Sequence, residues 1–198
     1  MQQAWKTGLC HLAAAGIENS DSRLPVVKKA IKQRINCIET SSMGRLFDAA
    51  ASLLGLADFN SHQGRCAMAL EAAARRALQN YIAPLPVQFK RENDSIYDPA
   101  PIWQKICDLQ AETEISAAAL GFHYAITDMV ADMAESSGVR QIALCGGCFA
   151  NLILLESCAD ALQKRGFAVY YNQKVSCGDG GISLGQAYYG MLKLNEVD

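Results

Sequence analysis

The sequence contains no apolar run long enough to cross a membrane and no marked excess of charge of either sign. Its 18 Lys and Arg residues against 20 Asp and Glu residues leave a net charge of −2, and no stretch approaches the roughly 18 apolar residues of a membrane span. The first residues, MQQAWKTGLCHLAAAG, lack the basic segment and apolar run of a secretory signal. Nucleic acid and membranes are therefore excluded as main partners, and we expect a soluble, cytoplasmic protein. Its 198 residues, 51% of them apolar, suffice for one globular domain or two small lobes.

A second pair of closely spaced cysteines is also missing. The eight cysteines are scattered singly through apolar patterns, except for Cys145-Gly-Gly-Cys148. A structural zinc site needs four ligands, and no second CxxC or CxxH completes this one. Zinc binding and redox chemistry remain alternatives for Cys145 and Cys148, but a lone CxxC favours a packing role.

The apolar pattern divides the chain into a mainly helical part, residues 1–135, and a β-α-β-α part, residues 136–198. Spacing of the type i, i+3, i+4 predicts helices over about 3–15, 25–34, 43–56, 64–80 and 112–136. Residues 81–101 hold four of the five prolines, which predicts a connector or an edge strand. Residues 141–145 and 166–171 are predicted strands separated by a helix, an arrangement that requires a parallel crossover. A final helix follows residue 181, so the expected fold class is α/β.

Glycine-rich turns follow both predicted strands. Ligands of a parallel sheet bind beyond the carboxyl ends of its strands, where Gly146-Gly147 would let the backbone approach an anion closely. Asn151 would begin the next helix, whose free N–H groups and dipole favour a phosphate. The turn matches neither GxGxxG nor the Walker A loop, so a plain tight turn is the alternative.

Two carboxylates have glycine neighbours. Asp179 is flanked by glycines on both sides, which leaves its oxygens accessible to a metal ion or a bound phosphate. Its alternative role is the N-cap of the final helix. Gly44 and Asp48 are four residues apart and so share a helix face, where they could admit a ribose and accept its hydroxyl hydrogens. Taken alone, Asp48 would be interpreted as a solvated surface acid.

Five blocks of the sequence occur in an order that resembles one protein family. They are TSSMGRLFDAAASLLGL (40–56), GRCAMALEAAA (64–74), AALGFH (118–123), LCGGCFANLILLE (144–156) and VSCGDGGISLGQAYYG (175–190). Together they resemble the C-terminal part of HypF, a family of carbamoyltransferases of hydrogenase maturation. The resemblance implies a helix-rich half of a two-lobed fold of the actin/Hsp70 (ribonuclease H-like) type with a short parallel sheet. The nucleotide-binding domain of that family is similar to the TsaD-type tRNA threonylcarbamoyltransferases.

The resemblance also implies a reaction and its participants. In the family, carbamoyl phosphate and ATP give carbamoyl adenylate, and the carbamoyl group passes to the C-terminal cysteine of the partner HypE, on the way to the cyanide ligands of nickel-iron hydrogenase. A divalent metal (zinc, iron or magnesium), completed by ligands outside this chain, would act as a Lewis acid on phosphate or carbamoyl oxygens. By this resemblance, the residues expected to bind the nucleotide are Gly44, Asp48, Gly64, Gly146, Gly147 and Asn151. The residue expected to bind the metal is Asp179.

The chain departs from the family's pattern at two places. Family members usually have Tyr-Glu-Gly where this chain has His62-Gln63-Gly64, so a neutral amide replaces an acid near the pocket. They usually have Ser and Val at the positions of Cys145 and Cys148, which again favours packing over redox chemistry.

Parts of the family's active site would lie upstream of residue 1. These are the metal-binding His pair of an HHxAH motif, an Asp-Gly-Thr-Gly phosphate loop, and the acylphosphatase, zinc-finger and YrdC-like domains. The three histidines of this chain show no H-x3-H spacing. We expect His123 to be a core histidine bonded to the backbone, and His11 and His62 to be surface or connector residues. Alone, the chain is expected to be inactive and, through exposed apolar surface, to self-associate.

Two functions remain open at this point. The chain is either the C-terminal part of a carbamoyltransferase that works beside the missing lobe, or a non-catalytic relative that serves as a nucleotide-binding or protein-docking module. Transfer of a threonylcarbamoyl group to tRNA is disfavoured, because the chain lacks a basic surface and its MGRLFDA segment resembles HypF more than TsaD.

Overall fold

The computed structural model describes residues 3–93, 95–109 and 112–195. Its helices are α1 (Ala4–Ala15), α2 (Leu24–Lys32), α3 (Met43–Leu53), α4 (Arg65–Gln79), α5 (Ala100–Cys107), α6 (Glu112–Ser137), α7 (Leu152–Lys164) and α8 (Ile182–Asn195). Its strands are β1 (Lys90–Arg91), β2 (Tyr97–Asp98), β3 (Gln141–Leu144) and β4 (Ala168–Tyr171), and single 3₁₀ turns, Gly147–Ala150 and Asp179–Gly181, precede α7 and α8. The predicted helices and both predicted strands of the C-terminal part are confirmed to within a few residues.

Helix α5 is a helix that the sequence pattern did not predict. Prolines at positions 99 and 101 indicated a connector, yet Pro99 lies at the N-cap of α5 and Pro101 within its first turn. Proline is tolerated there because the first N–H groups of a helix have no partner inside it. Ile102, Trp103 and Ile106 bury the inner face of α5.

The core lies between α1, α3, α4, α6 and α7. Helix α1 packs on α3, α3 on α4, and the long α6 lies between α4 and α7. Phe122 of α6 is fully buried, with its ring centroid 5.3 Å from that of Phe47 and 6.1 Å from that of Trp103. Among the described residues, no helix is both long enough and apolar enough to cross a membrane.

The proline-rich segment is a connector, as predicted, and it packs against α6 through its backbone. The N–H of Leu85 donates to the carbonyl of Ala117 over 2.9 Å. A Cβ atom placed on Gly121 would lie 2.1 Å from the carbonyl oxygen of Leu85, so only glycine permits this approach. The segment ends in the antiparallel pair of β1 and β2, with Lys90 opposite Asp98.

The C-terminal part contains the parallel pair that the sequence predicted. Strands β3 and β4 are paired from Gln141 opposite Ala168 to Leu144 opposite Tyr171, with α7 as the connecting helix. Helix α8 follows with its side chains exposed.

The three histidines differ in their surroundings. His123 is fully buried and bonded to the backbone, and His62 is exposed, as expected for both. The expectation for His11 was wrong: its half-buried ring lies 5.1 Å from the ring of Trp103, and burial lowers its pKa.

Candidate functional site

The two glycine-rich turns meet beyond the carboxyl ends of β3 and β4. The N–H of Gly146 donates to the carbonyl of Cys177 over 2.7 Å. A Cβ atom on Gly178 would lie 3.5 Å from the Cα atom of Gly147, so the two backbones are in contact. Gly146 has a φ of 100°, a conformation that favours glycine. The turns therefore converge at the edge of the sheet where parallel sheets bind ligands.

A small cavity lies beside these turns. Its volume is about 200 Å³, and its walls come from the ends of both strands, the 3₁₀ turn before α7 and the loop after β4. The lining residues are mostly apolar and include Leu144, Phe149, Leu155, Tyr171 and Val175. A cavity with this lining suits an apolar group better than a charged one.

Three predicted glycines face open space. A Cβ atom on Gly147 or on Gly64 would meet no described atom within 4 Å, and one on Gly44 would meet only the Ser42 hydroxyl, at 3.7 Å. Gly64 also has a φ of 78°, and it directly precedes α4. The packing of the fold therefore does not require glycine at positions 44 and 147, and the absence of a side chain at each leaves room for a ligand.

Asp48 is a buried residue and not a surface acid. Its side chain is 2% exposed, one oxygen accepts from Asn60 Nδ2 over 3.0 Å, and the other lies 2.7 Å from Arg45 Nη1. Burial of a carboxylate requires such partners. A ribose hydroxyl could reach Asp48 only if the Arg45 side chain moved away from it.

Asn60 connects Asp48 to the start of α4. Its side-chain oxygen accepts from the backbone N–H of Cys66 over 2.9 Å, while its amide donates to Asp48. This N–H belongs to the first turn of α4, where helix N–H groups lack partners inside the helix. Gly64, and not Asn60, lies at the N-cap position of α4, so no local sequence signal predicted this bond, and none predicted the contact of Arg45 with Asp48.

Asn151 is also buried, and it begins α7 as predicted. Its Oδ1 atom accepts from the N–H of Leu154 over 3.0 Å, and its Nδ2 atom lies 2.9 Å from His123 Nε2. The N–H of Leu152 donates to Glu71 of α4 over 3.2 Å. Protein groups therefore occupy two of the N–H positions at which the sequence suggested a phosphate, and Glu71 was not among the predicted residues.

Asp179 lies in the 3₁₀ turn before α8, and its side chain is exposed. Within the described ranges its carboxylate makes no hydrogen bond or ion pair, and it does not cap the helix that follows. No group of three His, Cys, Asp or Glu side chains among these residues could hold a metal. The described part of the chain therefore does not form a metal site by itself, and Asp179 stays a predicted single ligand.

Two cysteines, Cys145 and Cys148, flank the glycine turn of this site. All eight cysteines are free thiols, Cys145 exposed and Cys148 half-buried. Burial raises the pKa of the Cys148 thiol, which disfavours the thiolate that redox exchange requires.

The structure joins the predicted residues into two groups. Gly146, Gly147 and the turn before Asp179 form one group at the sheet edge, while Asp48 and Asn151 lie in the helical core beside it. His123 links α3 to α7, because its ring centroid is 5.4 Å from that of Phe47 and its Nε2 atom bonds Asn151.

Comparison with known proteins places this arrangement in a family. A family model described as the second subdomain of the Kae1-like domain of carbamoyltransferases matches residues 1–186. A HypF homolog of Cupriavidus necator is 35% identical over 170 residues, which cover 82% of this chain and 43% of that protein. The carbamoyltransferase HypF of Synechocystis sp. is 35% identical over 147 residues, 74% of this chain and 19% of that protein.

The solved structures that resemble this chain belong to the same family as the relatives found by sequence. A crystal structure of full-length HypF in the phosphate- and nucleotide-bound form matches with a TM-score of 0.72 and 31% identity, over 94% of this chain and 26% of that one. HypF of T. kodakarensis matches with a TM-score of 0.69 and 25% identity, over 87% of this chain and 22% of that one. The predicted α/β fold class is therefore confirmed, and the chain spans less than half the length of these relatives. This chain belongs to the HypF carbamoyltransferase family.

Proposed function

We propose that this chain supplies one side of the nucleotide site of a hydrogenase-maturation carbamoyltransferase. The observation that carries the proposal is the meeting of the turns at Gly146-Gly147 and Gly178, beyond the carboxyl ends of two parallel strands. Family membership supports it, and so does the likeness to full-length HypF in its phosphate- and nucleotide-bound form. The nucleotide would be ATP, carbamoyl adenylate or the AMP that leaves.

The proposed reaction uses carbamoyl phosphate and ATP to form carbamoyl adenylate and then transfers the carbamoyl group to a HypE-like partner. In the transfer, the thiolate of the partner's C-terminal cysteine attacks the carbamoyl carbon, a C–S bond forms, and the bond to the adenylate oxygen breaks. AMP leaves with the electron pair of that bond. The role proposed for this chain is to hold the adenylate through backbone contacts at the glycine turns and through the face of α3 that carries Gly44.

We propose Asp179 as one ligand of a divalent metal whose other ligands lie outside this chain. Its exposed carboxylate fits this role as a hard oxygen donor. When bound, such a metal would supply Lewis-acid chemistry. Since the described residues offer no complete ligand set, we expect the chain alone to be inactive in transfer.

Substitution of the two open glycines tests the site. Gly44→Ala and Gly147→Ala each add a Cβ atom where the fold leaves space, so we expect melting temperatures no lower than that of the parent, together with weaker nucleotide binding. In calorimetry with ATP and AMP, the parent chain should bind in roughly the high-micromolar range or weaker. Gly185→Ala is the control, since it adds a Cβ atom to equally open space on α8.

Equal nucleotide binding by the parent, Gly44→Ala and Gly147→Ala would overturn the site assignment. If the parent binds no nucleotide, either alone or together with the missing lobe, the alternative of a docking module gains support. The apolar side chains that α8 exposes favour that alternative, because seven of them are at least 41% accessible: Ile182, Leu184, Tyr188, Tyr189, Met191, Leu192 and Leu194.

A further inference from the structure

A buried chain of hydrogen bonds runs from α6 to the start of α7. His123 Nδ1 lies 2.7 Å from the carbonyl oxygen of Ala119, His123 Nε2 lies 2.9 Å from Asn151 Nδ2, and Asn151 Oδ1 accepts from the N–H of Leu154 over 3.0 Å. The side chain of His123 is fully buried, and Asn151 is 8% exposed. Water therefore does not readily reach these atoms to replace a hydrogen bond that is lost.

The polarity of the end groups determines the protonation of every atom between them. A carbonyl oxygen only accepts, so Nδ1 of His123 carries the proton. The N–H of Leu154 only donates, so Asn151 presents its oxygen to that N–H and its amide nitrogen to His123. Nε2 must then be the unprotonated acceptor. One tautomer of His123 and one orientation of the Asn151 amide satisfy all three bonds.

We propose that His123 is the positioning residue for Asn151 and, through it, for the turn Gly147–Ala150. Asn151 ends that turn, because its N–H donates to the carbonyl of Cys148 over 3.1 Å. Its side chain caps α7, and His123 holds the amide in the capping orientation. The effect on ligand binding rests on the proposed function, in which this turn faces the nucleotide.

The competing arrangements each lose a bond. If Nε2 were protonated, two N–H groups would face each other between His123 and Asn151. If the Asn151 amide then turned over, its oxygen would accept from His123, but the cap on Leu154 would be lost. The three hydrogen bonds therefore form one network, in which a change at one group changes the others.

The charged groups around His123 are paired. From α4, the Glu71 carboxylate favours protonation of the ring, but it is held by Arg75 over 2.8 Å and by the N–H of Leu152. From α3, His123 meets the ring of Phe47, whose neighbour Asp48 is paired with Arg45. From α7, the contact is the neutral amide of Asn151. Burial outweighs Glu71, and the pKa of His123 lies below its ordinary value.

Nitrogen NMR of the histidine rings tests the tautomer directly in the 198-residue chain. With only three histidines, single substitutions at His11 and His62 assign the spectrum. We expect the His123 ring to stay neutral, with its proton on Nδ1, even when the pH of the sample is lowered below the ordinary histidine pKa of about 6.5. In Asn151→Asp, a carboxylate oxygen would face Nε2, and we expect His123 to become doubly protonated at neutral pH. A ring protonated on Nε2, or unchanged in Asn151→Asp, would overturn the proposal.

Paired substitutions of His123 test positioning. His123→Gln can place an acceptor oxygen near the position of Nε2, whereas His123→Phe keeps a ring but removes the acceptor. We expect His123→Phe to shift the backbone amide resonances of Gly146, Gly147 and Leu154 and to weaken AMP binding on the order of tenfold, and His123→Gln to restore most of both.

Thr127→Val is the matched control. It removes two other buried bonds of α6, the one from Thr127 to the carbonyl of His123 and the one that the Cys158 thiol of α7 donates to Thr127 over 3.7 Å, and we expect it to leave the turn resonances and AMP affinity unchanged. If Phe, Gln and Val variants of equal melting temperature change the turn alike, the proposal is overturned. If the parent chain binds no AMP, the proposed function fails, while the ring tautomer and the turn resonances still decide the role of His123. Should His123→Phe not fold, His123→Gln and Asn151→Asp carry the test.

Discussion

At the residue scale, a polar cluster of the buried Asp48 and Asn60 with the half-buried Arg45 links the segment before α4 to α3. Each oxygen of Asp48 has a separate partner, and Asn60 in turn accepts from the backbone of α4. Removal of one member of a buried pair leaves the others without partners, which costs more than the bond itself contributed. Loss of nucleotide binding in a variant without Asp48 would therefore report on folding as well as on contact with a ribose.

We predict that Asp48→Ala lowers the free energy of unfolding by about 3–5 kcal/mol. Asp48→Asn should cost less, because its amide oxygen still accepts from Asn60. Urea unfolding measures both, and Asp160→Ala is a control in which only an exposed pair with Lys164 is lost, with an expected cost below about 1 kcal/mol. A cost for Asp48→Ala no greater than that for Asp160→Ala would contradict the prediction.

We also predict that acidification destabilises the chain through two histidines. Burial lowers the pKa of His11 and of His123 in the folded state, so below about pH 6.5 the unfolded chain binds more protons than the folded one. Stability is then complete above about pH 6.5 and falls as the pH drops toward the folded pKa values, by up to about 1.4 kcal/mol per pH unit for each group.

Urea unfolding between pH 7 and pH 5 measures this slope. His123→Gln should remove the share of His123 from it, and His11→Phe the share of His11. His62→Gln replaces an exposed side chain and should keep the slope of the parent. A slope that is the same in the parent, in His123→Gln and in His11→Phe would disprove the assignment.

At the scale of elements, α6 organises the molecule because other segments contact it on several sides. Helices α4 and α7 pack on it, and the connector before β1 contacts it through backbone at Gly121. A side chain at this position would separate two backbones, and neither can move as a flexible side chain does.

We predict that Gly121→Ala lowers the free energy of unfolding by at least about 1–3 kcal/mol. This loss occurs although alanine is the better helix former by about 1 kcal/mol. Gly185→Ala in α8 adds the same methyl group to open space and should not destabilise the chain. Thermal unfolding compares the two, and an equal or higher melting temperature for Gly121→Ala would show that the connector does not lie on α6.

At the scale of the whole molecule, α8 and the two-stranded sheet of β3 and β4 leave much apolar surface uncovered. Leu194, Tyr189 and Tyr188 are 74%, 63% and 58% accessible. The chain covers 26% of the full-length solved relative, so about three quarters of that relative's length has no counterpart here. Exposed apolar surface of this kind promotes association.

We predict that the chain self-associates through α8. Sedimentation velocity should show the average mass rising with concentration, and Leu184→Glu combined with Tyr188→Glu, one helical turn apart, should reduce that rise. Val26→Glu replaces an equally exposed side chain on α2 and should associate like the parent. A parent that sediments as a monomer of 21.4 kDa at all concentrations would refute this.

Local patterns were sufficient for most of the secondary structure. The apolar stripe of α6 and the strand–turn–helix pattern around Gly146 depend on neighbouring residues, and both predictions are confirmed. Helix α5 escaped prediction because its prolines have the same local appearance in a connector and in a first helical turn. The role of Gly121 and the burial of Asp48 depend on residues 36 and 12 positions away, at Leu85 and Asn60, and no local pattern indicates such contacts.

The amino-acid sequence by itself determined the α/β class, the order of the helices other than α5 and of the two parallel strands, the family, and the position of the glycine turns at strand ends. These properties follow from periodicity and from motifs, which are local in the chain. Only the tertiary structure decided that Asp48 and Asn151 are buried and bonded, and that His123 bridges α3 and α7. It also decided that Glu71 accepts from the N–H of Leu152 and that Arg45 pairs with Asp48. The physical reason is that a buried polar group must find its partner wherever the packing of helices brings one, and that packing joins residues distant in the sequence.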